Sequence, residues 1–299
     1  MEIRVGFIGL GEMGKWMALN VKKAGFPLIV YDLRPDVVKE LTEKGAVAAL
    51  NPADVAEKAD CIMMSLPDTR VVENVIWGDN GLVHGLSSSS ILVDLSTINY
   101  TTTVGIEKKL GLKGVKYIDA PVSGQEQRAK DGTLTVMAGG DYDTLQKIKP
   151  VLNSIGNNVV YMGKSGNGQL AKLVNQLFYN ISCAALAELL PMAVKMGLDP
   201  EDIFRVVSSG TGQTYALNFF TPYIMNNDFK PGYPLKSAYK DMISAAEISA
   251  EENIPLPVFF AAFHTYQLAL LDGYGAQNKG AMIKVWEKRL GVEVRKRKS

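Results

Sequence analysis

Close to the start of the chain, Gly9-Leu10-Gly11-Glu12-Met13-Gly14 sets three glycines at the spacing GxGxxG. Its neighbours decide what it means. Val5-Gly6-Phe7-Ile8 ahead of it is a short apolar run suited to a buried parallel strand. After it, Met17, Ala18, Val21 and Ala24 recur at helical spacing, and Gly25 stands where a helix C-cap belongs. Leu28-Ile29-Val30-Tyr31 then reads as a second strand closed by Asp32. Strand, glycine turn, helix, strand and acidic residue in this order describe a dinucleotide cradle. Gly9 permits the tight turn, Gly11 lets backbone approach a pyrophosphate, and Gly14 lets helix and strand pack closely. The helix N-terminus offers N–H groups and the positive end of its dipole to the phosphates. Asp32, about 20 residues on, can accept from ribose hydroxyls and repel a 2′-phosphate, which favours NAD. Arg34 could accommodate that phosphate, so NADP stays open.

The alternation of strands and helices continues. Runs 59–66, 90–95 and 115–119 read as further strands, ending at Leu66-Pro67, Ser96-Thr97 and Ala120-Pro121-Val122-Ser123-Gly124. A doubly wound parallel sheet of Rossmann type is expected, with ligands at these carboxyl ends. Beyond residue 163 the character changes. Residues 169–196 form a long apolar-periodic run ending at Gly197, and helical stretches follow at 201–209, 213–227, 235–252 and 257–272. The expected organisation is α/β: a Rossmann domain over 1–163, then an all-helical substrate and oligomerisation domain over 164–299, joined by the long helix.

A chain of 299 residues is long enough for two such cores. A net charge of +1 argues against nucleic acid or a membrane surface as partner, and the basic run 294–299 reads as a solvated tail. No apolar run is expected to be long enough to span a bilayer. The isolated Cys61 and Cys183 point to a reducing, cytoplasmic setting. With only His84 and His264 beside them, no metal site is expected. No signal or transit peptide is expected either, because the first ten residues already read as core strand.

On the long helix Lys172, Asn175, Gln176 and Tyr179 fall at spacings of three and four and share one face. One reading is a solvated face with a salt bridge. The other is catalytic, because a desolvated lysine can exchange a proton near neutral pH.

Four blocks taken together resemble the β-hydroxyacid dehydrogenase family, which includes 3-hydroxyisobutyrate dehydrogenases, tartronate semialdehyde reductases and, more distantly, 6-phosphogluconate dehydrogenases. They are Gly6 to Gly14; Asp119-Ala120-Pro121-Val122-Ser123-Gly124 with Gly132-Thr133-Leu134; Gly166 to Asn175; and Lys240-Asp241-Met242. They stand in the family's order and spacing across nearly the whole chain. The resemblance implies reversible hydride transfer between NAD(P) and a short 3-hydroxy acid or its semialdehyde, with Lys172 as general base and acid. It further implies that Ser123 and Gly124 hold the substrate carboxylate, that Thr97 lies beside the nicotinamide, and that Lys240 reaches substrate and cofactor from the helical domain. Asn175 would orient substrate or lysine, and Met13 and Leu66-Pro67 would border the pyrophosphate and adenosine. For these last residues, plain packing remains an alternative. The resemblance also implies a homodimer or homotetramer, and a cleft between the two domains as the active site.

Three positions depart from the family pattern. Gln125 replaces the second glycine of Ser-Gly-Gly, Arg128 replaces a later loop glycine, and Gln176 replaces the second asparagine of Lys-x-x-Asn-Asn. A side chain at 125 is expected to cost the loop its freedom to wrap a carboxylate. Gln176 keeps the amide but reaches one methylene further. Arg128 could meet a second anionic group, or it could be a surface arginine on a mobile loop. Two other functions are compatible with a cradle of this kind: a non-catalytic NAD(P)-binding regulator and an imine reductase-like enzyme. Lys172 counts against both.

Overall fold

The computed structural model describes residues 3–230 and 233–296. The chain divides into two compact units, the first ending at Lys172 and the second beginning at Leu173. By contacts the first unit runs past the expected boundary at 163/164, with residues 166–169 hydrogen-bonded to the sheet through Asp119.

In the first unit the order is β1 (Val5–Ile8), α1 (Gly14–Lys23), β2 (Leu28–Tyr31), α2 (Pro35–Thr42), β3 (Val47–Ala48), α3 (Pro52–Lys58), β4 (Cys61–Met64) and α4 (Thr69–Trp77). It continues with β5 (Ile91–Asp94), α5 (Tyr100–Gly111), β6 (Lys116–Asp119), β7 (Val122–Ser123), α6 (Gln125–Asp131), β8 (Leu134–Gly140), α7 (Tyr142–Ile155) and β9 (Gly156–Gly163). Strand order is β3-β2-β1-β4-β5-β6-β8-β7, with β9 on the other side of β8. Pairing from β3 to β6 is parallel. Side chains alternate between two cores: Val5, Phe7, Cys61 and Met63 enter one, and Ile8, Ile62 and Met64 enter the other. That two-sided burial explains why these strands read as unbroken apolar runs.

The doubly wound parallel sheet carries one antiparallel element at its edge, where β8 runs antiparallel to both β6 and β7. Only residues 124–133 connect β7 to β8, too short a path for a crossover to a parallel neighbour. The chain turns back there, and β9 rejoins in parallel after α7.

The long helix α8 (Asn167–Lys195) leaves the first unit at Lys172 and continues as the first helix of the second. It stops at Gly197, whose φ of +91 and whose N–H bond to Val194 O close the end with a left-handed residue. By length and composition α8 could cross a bilayer, with a most apolar window of mean hydropathy 1.5, of which 39% is buried. The expectation that no run reaches that length is therefore wrong, although a core helix passes the same test. The second unit continues with α9 (Pro200–Ser209), α10 (Tyr215–Met225), α11 (Leu235–Glu251), α12 (Pro257–Leu271) and α13 (Ile283–Leu290). Leu186, Leu190, Phe220, Met242, Phe259 and Tyr266 share its core.

The basic tail is only partly what it was read to be. Val294 is fully buried and Arg295 pairs with Glu287 at 2.6 Å, while Arg297, Lys298 and Ser299 lie outside the described residues.

Candidate active site

The turn between β1 and α1 has the shape of a phosphate cradle. Gly9 has φ +88, and a Cβ there would come within 2.3 Å of Ser65 O. A Cβ on Gly14 would lie 1.9 Å from Gly9 O, whereas one on Gly11 would meet nothing within 4 Å. Two glycines are therefore required by the protein itself, and the third faces open space. The first turn of α1 holds no acidic residue, and Met13 supplies no side-chain cap. An anion there would meet an unopposed dipole end, so the residues fit a dinucleotide pyrophosphate.

At the end of β2 the Asp32 carboxylate accepts from Leu10 N at 2.6 Å, Arg34 N at 2.9 Å and Arg34 Nε at 3.0 Å. Burial alone would push its carboxyl up, but the bonds from Arg34 and Leu10 outweigh that and hold it below its ordinary value. Leu10, expected beside the cofactor, instead turns its side chain into the core and lends its N–H to Asp32. Arg34 also donates to Leu10 O at 2.8 Å. Glu12 is exposed, and Met13 is half-buried on the turn.

Leu66 and Thr97 lie half-buried at the ends of β4 and β5, and Pro67 is exposed. Two residues absent from the expected site organise these loops. Ser96 Oγ accepts from Leu66 N at 2.9 Å, and Ser96 N donates to the buried Asp94 at 2.9 Å. From α8, Gln169 donates through Nε2 to Ser96 O at 2.7 Å and accepts through Oε1 from Ile98 N at 3.2 Å. One buried amide thereby holds the residues on both sides of Thr97. Asp119, at the end of β6, accepts from Gly166 N at 2.8 Å and Gln169 N at 3.0 Å and so caps α8. Asp119 and Gln169 stand inside recognisable sequence blocks. The only local signal for their roles is a polar residue in an apolar context.

Burial pushes both Asp94 and Asp119 up to about 6, against the hydrogen bonds that each accepts. Between the ordinary carboxylate value and about pH 6, the folded chain then binds more protons at these groups than the unfolded chain. Their contribution to stability is full at acid pH and declines as pH rises through about 6. For Asp94 that amounts to on the order of 3 kcal/mol. Asp94→Asn removes its share, so the Tm of the variant should gain a few degrees on wild type between about pH 4.5 and pH 7. Parallel Tm profiles across that window would show that Asp94 does not titrate there.

Lys172 is 9% exposed, and its Nζ donates to Val122 O at 2.9 Å. This bond brings the first turns of α8 to β7, next to Ser123. The solvated-face reading of Lys172 thus does not hold. Gly124 has φ +146 and leads into α6. Gln125 has φ +60, so the backbone keeps the left-handed conformation that the family's glycine would allow. A non-glycine residue holds that conformation at a cost of about 1 kcal/mol or more. Arg128 is exposed. Its Cβ and Cδ lie against Gly124, and its guanidinium donates to Thr133 O.

Asn175, Gln176 and Lys240 belong to the second unit. Asn175 and Lys240 are exposed. Gln176, expected to face substrate, gives its amide to the buried Asp241 at 3.2 Å and so ties α8 to α11. Tyr179, on the same stripe, stacks on Phe220 in the helical core under the ammonium of Lys279. The shared face read from the sequence is therefore split: Lys172 bonds to the sheet unit, while Gln176 and Tyr179 join the helical core. Among the described residues no group of three or more His, Cys, Asp or Glu is gathered as metal ligands would be.

Two family profiles match the chain. Residues 4–163 match the NAD-binding domain of 6-phosphogluconate dehydrogenase, and residues 166–286 match the NAD-binding domain of NADP-dependent 3-hydroxyisobutyrate dehydrogenase. The 2-(hydroxymethyl)glutarate dehydrogenase of Eubacterium barkeri is 37% identical, covering 98% of this chain and 98% of its own length. The mitochondrial 3-hydroxyisobutyrate dehydrogenase of Mus musculus is 35% identical over 92% of this chain and 84% of its own. Among solved structures, 3-hydroxyisobutyrate dehydrogenase from Salmonella typhimurium superposes with a TM-score of 0.85 at 28% identity, covering 95% of this chain and 99% of that one.

Proposed function

Because the chain belongs to the β-hydroxyacid dehydrogenase family and is an NAD(P)-dependent hydroxyacid dehydrogenase, we propose that its substrate is a short 3-hydroxy acid or the matching semialdehyde and that Lys172 moves the proton. The observation that carries this reading is the Lys172 Nζ to Val122 O bond, which sets the amine one residue from Ser123. The bound nicotinamide supplies the hydride acceptor in oxidation and the donor in reduction. Ser123 Oγ and the backbone N–H groups of the 123–125 loop hold the substrate carboxylate. Lys172 takes the hydroxyl proton as the carbinol C–H bond breaks and returns it to the carbonyl oxygen in the reverse direction. Val122 O fixes the direction of the ammonium without competing as a second base.

Asp32 favours NAD over NADP, since its carboxylate holds Arg34 and leaves a negative group where a 2′-phosphate would come. The name of the Eubacterium barkeri relative makes a hydroxymethyl diacid the first substrate to try. In this reading the guanidinium of Arg128 meets its second carboxylate. The test follows nicotinamide absorbance with mono- and dianionic hydroxy acids and their semialdehydes, using NAD and NADP, on wild type and Arg128→Ala. The variant should raise KM for the diacid about tenfold and leave a monoacid within about twofold. An equal change for both would remove the second anion, and no turnover with bound cofactor would remove the substrate class.

The chain also assembles with itself in this reading. Along α8 and just past its end, Phe178, Ser182, Ala185, Leu189, Met192 and Met196 alternate at spacings of four and three, as in a coiled-coil seam. Phe178 is 73% exposed and Met196 77%, and a second copy would cover them. Light scattering should give the mass of a dimer or tetramer. A monomer at micromolar concentration would sink this part.

A further inference from the structure

The short helix that follows the substrate loop is held at both ends by one face of α1. Near the start of α6, Glu126 Oε1 accepts from Trp16 Nε1 at 3.0 Å. The ammonium groups of Lys15 and Lys130 lie 5.0 Å and 4.8 Å from the centroid of the indole, and Lys130 pairs with Glu126 at 2.8 Å. At the far end, Asn20 Nδ2 donates to Ala129 O at 2.8 Å and Lys130 O at 3.3 Å. Both carbonyls belong to the last turn of α6, where Ala129 O otherwise has only the 3.4 Å bond from Gly132 N. Trp16 and Asn20 are one turn apart, so both fastenings come from the same face of α1. A helix of seven residues is too short to hold its own shape, and α6 begins on the left-handed Gln125. The conformation of the 123–125 loop therefore depends on where α1 stands.

We propose that Trp16 and Asn20 are positioning residues through which the dinucleotide helix sets the substrate loop. Occupancy of the Gly9–Gly14 turn steadies α1, α1 steadies α6, and the hydroxy acid then binds a loop already in shape. By linkage, substrate in the loop tightens cofactor binding by the same factor. The inference rests on the assignment of Ser123 and Gly124 to the substrate carboxylate.

Two measurements test it, on wild type, Asn20→Asp and Trp16→Phe. Asn20→Asp is nearly isosteric but turns an acceptor toward two carbonyls. Trp16→Phe keeps a ring beside the lysines and removes only the N–H. Hydrogen exchange of the 123–132 segment should slow about fivefold or more when NAD is added to wild type. In Asn20→Asp that slowing should vanish while the 9–14 segment is still protected. In steady state, Asn20→Asp should raise KM for the hydroxy acid about tenfold, with kcat and the Kd of NAD in the absence of hydroxy acid within about twofold. Trp16→Phe should move the same way by a smaller factor, and Asn20→Gln, which restores a donor, should recover part of the loss.

Exchange in 123–132 that ignores NAD in wild type would overturn the coupling. So would an unchanged hydroxy-acid KM in both variants, or a joint fall of kcat and of NAD affinity measured without hydroxy acid. If wild type turned over no hydroxy acid, the assignment of the reaction would fail by itself, and the exchange experiment would still decide the coupling.

Discussion

Lys172→Ala should lower kcat for hydroxy-acid oxidation by about 10²–10⁴ while NAD binds as before. The residue stands at the start of α8, whereas the glycine turn lies between β1 and α1, so the two functions separate cleanly in a titration. Losing the bond to Val122 O costs about 1 kcal/mol, which leaves the fold intact. Lys172→Arg makes the test sharper. Arginine keeps the charge and a donor for Val122 O, but it does not give up a proton at any accessible pH. Both variants should be equally inactive if the lysine carries the proton. Recovery of kcat in Lys172→Arg would show instead that the site needs only a fixed positive charge.

The second large effect separates two glycines of one motif. In Gly14→Ala the new Cβ would sit 1.9 Å from the carbonyl oxygen of Gly9, a backbone atom that cannot swing away. Destabilisation on the order of 3 kcal/mol is expected, with or without cofactor. In Gly11→Ala the Cβ meets no protein atom within 4 Å, so the melting temperature should hardly move. The added methyl stands where a pyrophosphate would approach, and NAD affinity should fall about tenfold or more. Thermal melts and a cofactor titration on the two variants read this directly. If Gly11→Ala bound NAD as wild type does, the phosphates would have to lie elsewhere.

The parts of the fold legible in advance share one property: their causes are local. β1 and β2 start and stop where their apolar runs do, because each strand is buried on both faces. The helices of the second unit fall within two residues of the periodic stretches, and Gly197 ends α8 as a left-handed residue should. β3, β7 and β9 were not read as strands, and two further elements escaped for reasons that can be named. α13 has a brief apolar pattern, and β8 shows its apolar residues without showing which way it runs. Its antiparallel direction follows from the short return path after β7, a matter of pairing rather than composition.

Within the candidate site the division runs through single residues. The sequence alone determined the glycine turn, the acid at the end of β2 and the order of the two units, since turn chemistry, periodicity and motif spacing each act over a few residues, whereas Lys172 was singled out by the family resemblance. Only the tertiary structure decided which polar groups are partners. Gln176 went to Asp241, Gln169 closed on both sides of Thr97, and Asp119 became the cap of α8. Trp16 and Asn20 took hold of α6, and Arg295 left the tail for Glu287. Apart from Glu287, eight residues before Arg295, each partner lies far away in the chain. A buried donor or acceptor must be satisfied by whatever the fold brings within hydrogen-bond distance, and no local pattern encodes that distance.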